Sequence, residues 1–350
     1  MTRGAAPLIY GASGHSGRLV ARAAVALGLR PVLAGRDERR VAPLAEELDL
    51  SHRVARLADP AALDAALRDV AVVINAAGPF SRSAGPVLDA CLRRNAHYLD
   101  ITGEVGAIEA IARRDAEIRR RSIMAMPAVG FDVVPSDCLA AHVVRRLPSA
   151  SRLALGLRGL STVTRGSART LFESVDRGMV RRQGRLVRVP LGAFERAFDY
   201  GEGPVASLNV SWGDLATAYY TTGIPDIETY VEATPLFRAV LAGCRAYGRV
   251  LGTEPWQTVL GVWAGLLPEE PSGVPSHEMV VVAEAEDRAG RRVQARIRTP
   301  EAYTFTGTAA AGVARRVLAG DVEVGFQTPA RVYGPELVLG FPGVSREDIA

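Results

Sequence analysis

The stretch Leu8-Ile9-Tyr10-Gly11-Ala12-Ser13-Gly14-His15-Ser16-Gly17-Arg18-Leu19-Val20 decides the fold. Three apolar residues run into Gly11, Gly14 and Gly17, and Leu19, Val20, Ala23 and Leu27 then recur at helical spacing. A strand that turns straight into a helix through this glycine pattern is built to hold a dinucleotide diphosphate. Gly11 makes the tight turn off the strand, Gly14 lets the backbone approach the phosphates, and Gly17 lets the helix lie close to the strand. The helix presents its free N–H groups and positive dipole end to the anion. Ser13, His15 and Ser16 fill the loop between the glycines and count with them as cofactor-binding residues, with His15 packing near the phosphates rather than moving protons.

Outward from this stretch, the next apolar run, Pro31 to Gly35, ends in Arg36-Asp37. The residue at the end of this second strand faces the adenosine ribose in such a fold. An arginine there offers a bidentate, charge-assisted partner to a 2′-phosphate, so the expected cofactor is NADP(H). Asp37 stands next to it and keeps the opposite reading open, a carboxylate accepting from the free 2′-hydroxyl of NAD.

Apolar strands and helical segments then alternate: 32–34, 41–48, 52–57, 61–67, 70–74, a helix near 85–94, a strand at 97–100, a helix over 104–120 and a strand at 122–126. Six strands alternating with helices predict an α/β, Rossmann-type doubly wound parallel sheet over residues 1–130. From residue 131 to about 300 the texture is that of a second, α+β domain, and the segment 300–350 is expected to pack back on the first. Strand-like runs at 152–157, 185–189 and 205–210 mix with helical stretches near 168–180 and 236–251. Glu278 to Glu286 and Arg291 to Arg298 flank Asp287-Arg288-Ala289-Gly290, a hairpin pattern.

Composition narrows the chemistry. The chain of 350 residues is 48% hydrophobic and carries a net charge of +4, from 42 basic and 38 acidic residues without a block of like charge. Nucleic acid is not implied. All the basic residues are arginine, because the sequence contains no lysine. Schiff-base chemistry and a Tyr-x-x-x-Lys pair of the short-chain dehydrogenase kind are therefore excluded. Cys91, Cys138 and Cys244 are odd in number and far apart, which argues for core thiols in a reducing compartment, hence a cytoplasmic protein. No apolar run reaches the roughly 20 residues of a membrane span, and the first one is the nucleotide-binding strand rather than a signal peptide. No His/Cys/carboxylate cluster has metal-ligand spacing.

Ligands of open parallel sheets bind at the carboxyl ends of the strands. One such end is Asn75-Ala76-Ala77-Gly78-Pro79-Phe80, where small residues admit the ribose, Asn75 can hydrogen-bond it, and Phe80 can wall the nicotinamide. The same run also reads as a Gly-Pro turn with Phe80 in the core. The next end, Tyr98-Leu99-Asp100-Ile101-Thr102-Gly103-Glu104, brings Thr102 and Glu104 to the same edge, as cofactor-binding and catalytic candidates respectively or as caps of the following helix. Asp132 is a further catalytic candidate, whereas Asp137 reads equally well as an N-cap. Tyr219 and Tyr220 lie in the densest group of hydroxyls in the chain and offer phenols as proton donors, although aromatic residues are also ordinary core.

Asn75 to Phe80, Ser83-Ala84-Gly85-Pro86-Val87 with Ala90-Cys91, His97 to Glu104, and Gly130-Phe131-Asp132-Val133-Val134-Pro135-Ser136-Asp137 together resemble the saccharopine dehydrogenase-like oxidoreductases. Trp212-Gly213-Asp214 and Thr221-Thr222-Gly223-Ile224-Pro225 resemble the bacterial branch that includes trans-acting enoyl reductases. The resemblance is looser over 149–206 and at the C-terminus. It implies an NADP-type Rossmann domain joined to an α/β domain, with hydride moved between nicotinamide and a small-molecule substrate. Saccharopine itself is not implied, since no set of residues for a multiply charged amino acid can be mapped onto this chain. The apolar stretch Val259, Leu260, Val262, Trp263, Leu266 and Leu267 suits an acyl or polyketide-like substrate with an activated C=C, and equally a buried helix. The alternatives are a C=N reductase of the saccharopine type and a non-catalytic NADP-binding sensor or scaffold. A symmetric homodimer is the default assembly for such an enzyme.

Overall fold

The computed structural model describes residues 6–159, 178–235, 237–239, 241–243 and 278–349. The chain divides into two units, Met1–Val134 with Ala302–Val332, and Pro135–Glu301 with Tyr333–Ala350.

The first unit opens with β1 (Ala6–Tyr10), α1 (His15–Ala26), β2 (Val32–Gly35), α2 (Glu38–Glu47), β3 (His52–Val54) and α3 (Pro60–Ala66). It continues through β4 (Val70–Asn75), α4 (Phe80–Arg94), β5 (His97–Asp100), α5 (Val105–Ala112), α6 (Asp115–Arg120) and β6 (Met124–Met126). These strands form a parallel sheet in the order β6-β5-β4-β1-β2-β3, extended beyond β6 by the short parallel strand β15 (Gly325–Phe326), which pairs Gly325 with Met124 and Phe326 with Ala125. Leu8, Ile9, Leu33, Val72, Val73, Tyr98 and Leu99 have no exposed surface, as strands covered by helices on both faces require.

The six sequence-read strands are present in this order. Two helices differ from expectation. The segment expected as one helix over 104–120 is broken into α5 and α6 at Arg113-Arg114, and α4 begins five residues earlier than Gly85, at Phe80. The earlier start follows from Pro79, whose fixed φ of −67° suits the position that leads into a helix.

In the second unit α7 (Val134–Arg146) leads into β7 (Ala150–Arg158), followed by β8 (Gly178–Arg182), β9 (Arg185–Val189), β10 (Glu195–Asp199) and β11 (Pro204–Asn209). After α8 (Asp214–Thr222) come β12 (Asp226–Glu232), β13 (Met279–Asp287) and β14 (Arg292–Thr299), and the chain ends with β16 (Ser345–Ile349). The sheet runs β10-β11-β12-β7-β13-β14-β16, with the β8-β9 hairpin attached to β12. β13 and β14 form the expected hairpin, with Met279 opposite Thr299 and Glu286 opposite Arg292.

Gly156 on β7 makes room for side chains from β10 and the residue after it: a Cβ there would lie 2.7 Å from the Tyr200 hydroxyl and 2.8 Å from the Phe198 ring. Phe198 and Tyr200 thereby pack with Ala154, Tyr230, Val280 and Val282 in one core cluster. Of the stretch expected to be helical over 168–180, residues 178–180 are instead the start of β8 and the rest lies outside the described residues. Residues 237–239 and 241–243 are helical; the remainder of 236–251 and the apolar stretch 259–267 lie outside them.

In the first unit, α9 (Ala302–Leu318) packs along α1, with Gly307 against the backbone of Leu19. Among the described residues no helix is long and apolar enough to cross a membrane, and no group of three His, Cys, Asp or Glu side chains is placed to hold a metal ion.

Candidate active site

The glycine turn is built as its sequence requires. Gly11 has φ +82°, and a Cβ on it would lie 2.8 Å from the Ala77 nitrogen, so the turn is closed to side chains both by conformation and by the loop after β4. A Cβ on Gly17 would stand 2.3 Å from the Gly11 carbonyl oxygen, so α1 lies directly on the turn. Gly14, the N-cap of α1, differs from both. Its φ is −75°, and the nearest atom to a Cβ built on it is the Gly11 carbonyl oxygen at 3.4 Å. The protein itself leaves this side of Gly14 open. No side chain caps α1, and no acidic residue stands in its first turn. An open cradle at an uncapped helix N-terminus fits the diphosphate of a dinucleotide.

Ser13, His15 and Ser16 are partly exposed around this cradle, and the His15 ring meets Tyr303 edge-to-face at 4.9 Å. At the end of β2, Arg36 is exposed, whereas the Asp37 carboxylate accepts from the Arg39 backbone N–H at 3.1 Å as the N-cap of α2. That gives Asp37 a structural task and leaves Arg36 as the group offered to a ribose substituent.

The loop after β4 is held from beneath. Asn75 was read as a ribose ligand, but its side chain is fully buried: it donates to Ser83 Oγ at 3.1 Å and to the Tyr98 hydroxyl at 3.4 Å, and accepts from the Ala77 N–H at 3.1 Å. Its side chain therefore shapes the loop, and the partly exposed Ala76 and Ala77 and the exposed Gly78 are what the loop presents. Phe80 is buried, with its ring beside Gly78.

Glu104 reaches from the loop after β5 to the first turn of α4, its two carboxylate oxygens accepting from the N–H groups of Phe80 at 2.8 Å and Ser81 at 2.7 Å. It caps this helix and not its own, because no side-chain cap is made at α5. Thr102, read as a cofactor ligand, is likewise fully buried, and its hydroxyl accepts from the Glu104 N–H at 2.9 Å. Beneath both, the buried Asp100 carboxylate accepts from the Tyr98 hydroxyl at 2.7 Å and from the N–H groups of Thr102 at 3.0 Å and Ala128 at 2.8 Å. Burial pushes this carboxyl up to about 6 against those hydrogen bonds, which pull it down.

Asp132 lies in the loop after β6, its carboxyl resting on the bare Cα of Gly103, where a Cβ would come within 2.6 Å of Oδ2. Desolvation pushes its pKa up to about 6. The carboxyl ends of β1, β2, β4, β5 and β6 thus gather the glycine turn, Arg36, the 76–78 loop, Glu104 and Asp132 on one edge of one sheet.

The two tyrosines belong to the second unit. Tyr219 and Tyr220 sit on α8, their rings 5.5 Å apart, with the Arg181 guanidinium 4.3 Å above the Tyr219 ring. Beside them, the Thr221 hydroxyl donates to the buried Asp137 at 2.6 Å. Sequence reading missed Tyr303 and Thr306, which come from α9. Thr306 accepts the Phe131 N–H at 3.0 Å and so ties α9 to the loop that carries Asp132. No signal short of the fold joins positions 175 residues apart.

Residues 8–126 match the family described as the saccharopine dehydrogenase NADP binding domain. The chain is 31% identical over 150 residues to a trans-acting enoyl reductase of Mycobacterium ulcerans (strain Agy99), a match over 40% of this chain and 35% of that protein. A trans-acting enoyl reductase of Mycobacterium leprae (strain TN) is 33% identical over 153 residues, again 40% and 35%. The match spans about a third of the length of these relatives. Among solved structures, apo saccharopine dehydrogenase (L-Glu forming) from Saccharomyces cerevisiae superposes with a TM-score of 0.67 over 99% of this chain and 100% of that one, at 13% identity, a likeness of fold. The glycine turn lies inside the matched segment, so residues 8–126 of the first unit are similar to a saccharopine dehydrogenase NADP binding domain, and the fold of the chain is like that of saccharopine dehydrogenase.

Proposed function

We propose that the protein is an NADPH-dependent reductase that adds hydride to an activated C=C of an acyl or polyketide-like small molecule. The observation that carries the nucleotide part is the open cradle at Gly14, between two glycines that the fold itself closes to side chains. The carbon-carbon double bond rests on the activity for which the mycobacterial relatives are named.

When bound, the nicotinamide supplies the hydride. The chain's own residues bind, orient and move a proton. The α1 N-terminus and the Gly11–Gly17 turn hold the diphosphate, and Arg36 pairs with the 2′-phosphate. Glu104, Thr102 and Asn75 fix the loop Ala76–Gly78 under the nicotinamide riboside. Asp132, with its pKa raised to about 6, keeps a proton up to about that pH and gives it to the carbon next to the one that received hydride. Tyr219 and Tyr220 are the second candidates for that proton. We place the activity in the cytoplasm, in keeping with the buried free thiols of Cys91 and Cys138, and expect a symmetric homodimer.

The test is oxidation of NADPH in the presence of a panel of enoyl thioesters and of imines. Turnover with the enoyl thioesters supports the reading. Turnover with imines alone, or tight NADPH binding without turnover of either class, overturns its substrate part.

A further inference from the structure

Helix α9 returns to the first unit after residues Pro135–Glu301 of the second, and its direction is fixed by two contacts. The His15 ring meets the Tyr303 ring, and the Leu19 backbone meets Gly307, where a Cβ would come within 3.0 Å. Both contacts advance by one turn along each helix, so α1 and α9 run in the same direction with their first turns side by side. Whatever lies at the start of α9 therefore stands beside the diphosphate cradle at the start of α1.

Tyr303 is what stands there. Its ring and that of His15 are inclined at 82°, an edge-to-face pair, and both residues are partly exposed beside Gly14. The turn that carries Tyr303 is anchored from within: the Thr306 hydroxyl donates to the Ala302 carbonyl at 2.8 Å and accepts the Phe131 N–H at 3.0 Å, while its methyl lies against Gly130. Neither Tyr303 nor Thr306 falls within residues 8–126, so the match to the NADP-binding domain assigns them nothing.

We infer that Tyr303 is a dinucleotide-binding residue: with His15 it forms the outer wall of the cradle that takes the diphosphate. This deepens the proposed function and rests on its reading of the glycine turn. The pair fixes the imidazole at the mouth of the turn, against the place of the diphosphate. Its effect belongs to the diphosphate part of the cofactor and not to the adenosine 2′-phosphate part, which lies at the end of β2.

Calorimetric titration of the full chain with NADPH and with adenosine 2′-monophosphate, a fragment lacking the diphosphate, tests the inference. Tyr303→Ala should weaken NADPH about five- to tenfold, leave the fragment within about twofold, and leave Tm close to the parent; Tyr303→Phe should restore the parent affinity for NADPH. Unchanged NADPH affinity in Tyr303→Ala overturns the inference. So does an equal loss for both ligands, or a loss accompanied by a lower Tm, either of which makes the tyrosine a packing residue only. A parent protein that binds neither ligand overturns the reading of the glycine turn beneath it, a result distinct from the others.

Discussion

A Cβ placed on Gly17 would stand 2.3 Å from the carbonyl oxygen of Gly11 and 2.8 Å from the Cα of Ala12. Both obstacles are backbone, so neither can swing aside. Gly17→Ala must push α1 off the turn, at a cost of about 1–3 kcal/mol for overpacking a filled site. The expected outcome is a lower Tm together with loss of NADPH binding, read by thermal unfolding and titration of the same preparation.

Glu104 gives a prediction of the opposite kind, about support. Glu104→Ala leaves the N–H groups of Phe80 and Ser81 without their carboxylate, a loss of about 0.5–2 kcal/mol, the scale of a helix cap, since Ser81 is exposed and water can replace that partner. Because that turn continues from the loop Ala76–Gly78, KM for NADPH should rise several-fold while kcat holds, and Glu104→Gln, which keeps one acceptor oxygen, should recover part of it. A fall in kcat alone, equal in both variants, would instead make Glu104 a proton donor.

Asp132 sets a pH dependence whose sign follows from its environment. Desolvation holds its pKa at about 6, above the ordinary carboxyl value of 3.8, so the acid form is populated below that pH and lost above it. If it delivers the proton, kcat/KM falls about tenfold per pH unit above about 6, and Asp132→Asn removes that limb with most of the activity. If a phenol delivers it, Tyr219→Phe or Tyr220→Phe lowers the rate and Asp132→Asn leaves the profile in place. Rates measured from pH 5 to 9 separate the two.

In the proposed reading Arg36 is the group that favours NADPH over NADH. It is exposed at the end of β2, and Asp37 beside it is occupied in capping α2. Arg36→Ala should cost NADPH about ten- to a hundredfold in affinity, the scale of a hydrogen-bonded ion pair, and leave NADH unchanged. Equal affinities of the parent protein for the two cofactors would remove this role.

The glycine turn and the succession of parallel strands and helices along the chain were legible in the sequence because each rests on local chemistry: conformational freedom at Gly11, close approach at Gly17, apolar runs for buried strands. The hairpin of β13 and β14 was legible for the same reason. Residues with several good local readings were not. Asn75 and Thr102 stand at strand ends where ligands bind, yet the polar groups packed beneath the sheet edge, Ser83, Tyr98 and the Glu104 N–H, claim their side chains. Glu104 carries the signature of a cap, but the helix that it caps lies 23–24 residues earlier in the chain. α8 shows only a weak pattern and is fixed by its ending at Gly223, whose φ of +73° closes the last turn. The pairing of α9 with α1 depends on tertiary packing, and no spacing in the sequence announces it.

The central claim is that the turn around Gly14 holds the diphosphate of NADP(H), and titration of the parent protein and of Gly14→Val with NADPH and NADH tests it most directly. The nearest protein atom to a Cβ at Gly14 is 3.4 Å away, so the valine should leave Tm nearly unchanged while filling the cradle. NADPH should bind the parent more tightly than NADH and lose its binding in the variant. Equal NADPH affinity in a folded Gly14→Val protein, or a parent that binds neither nucleotide, would contradict it.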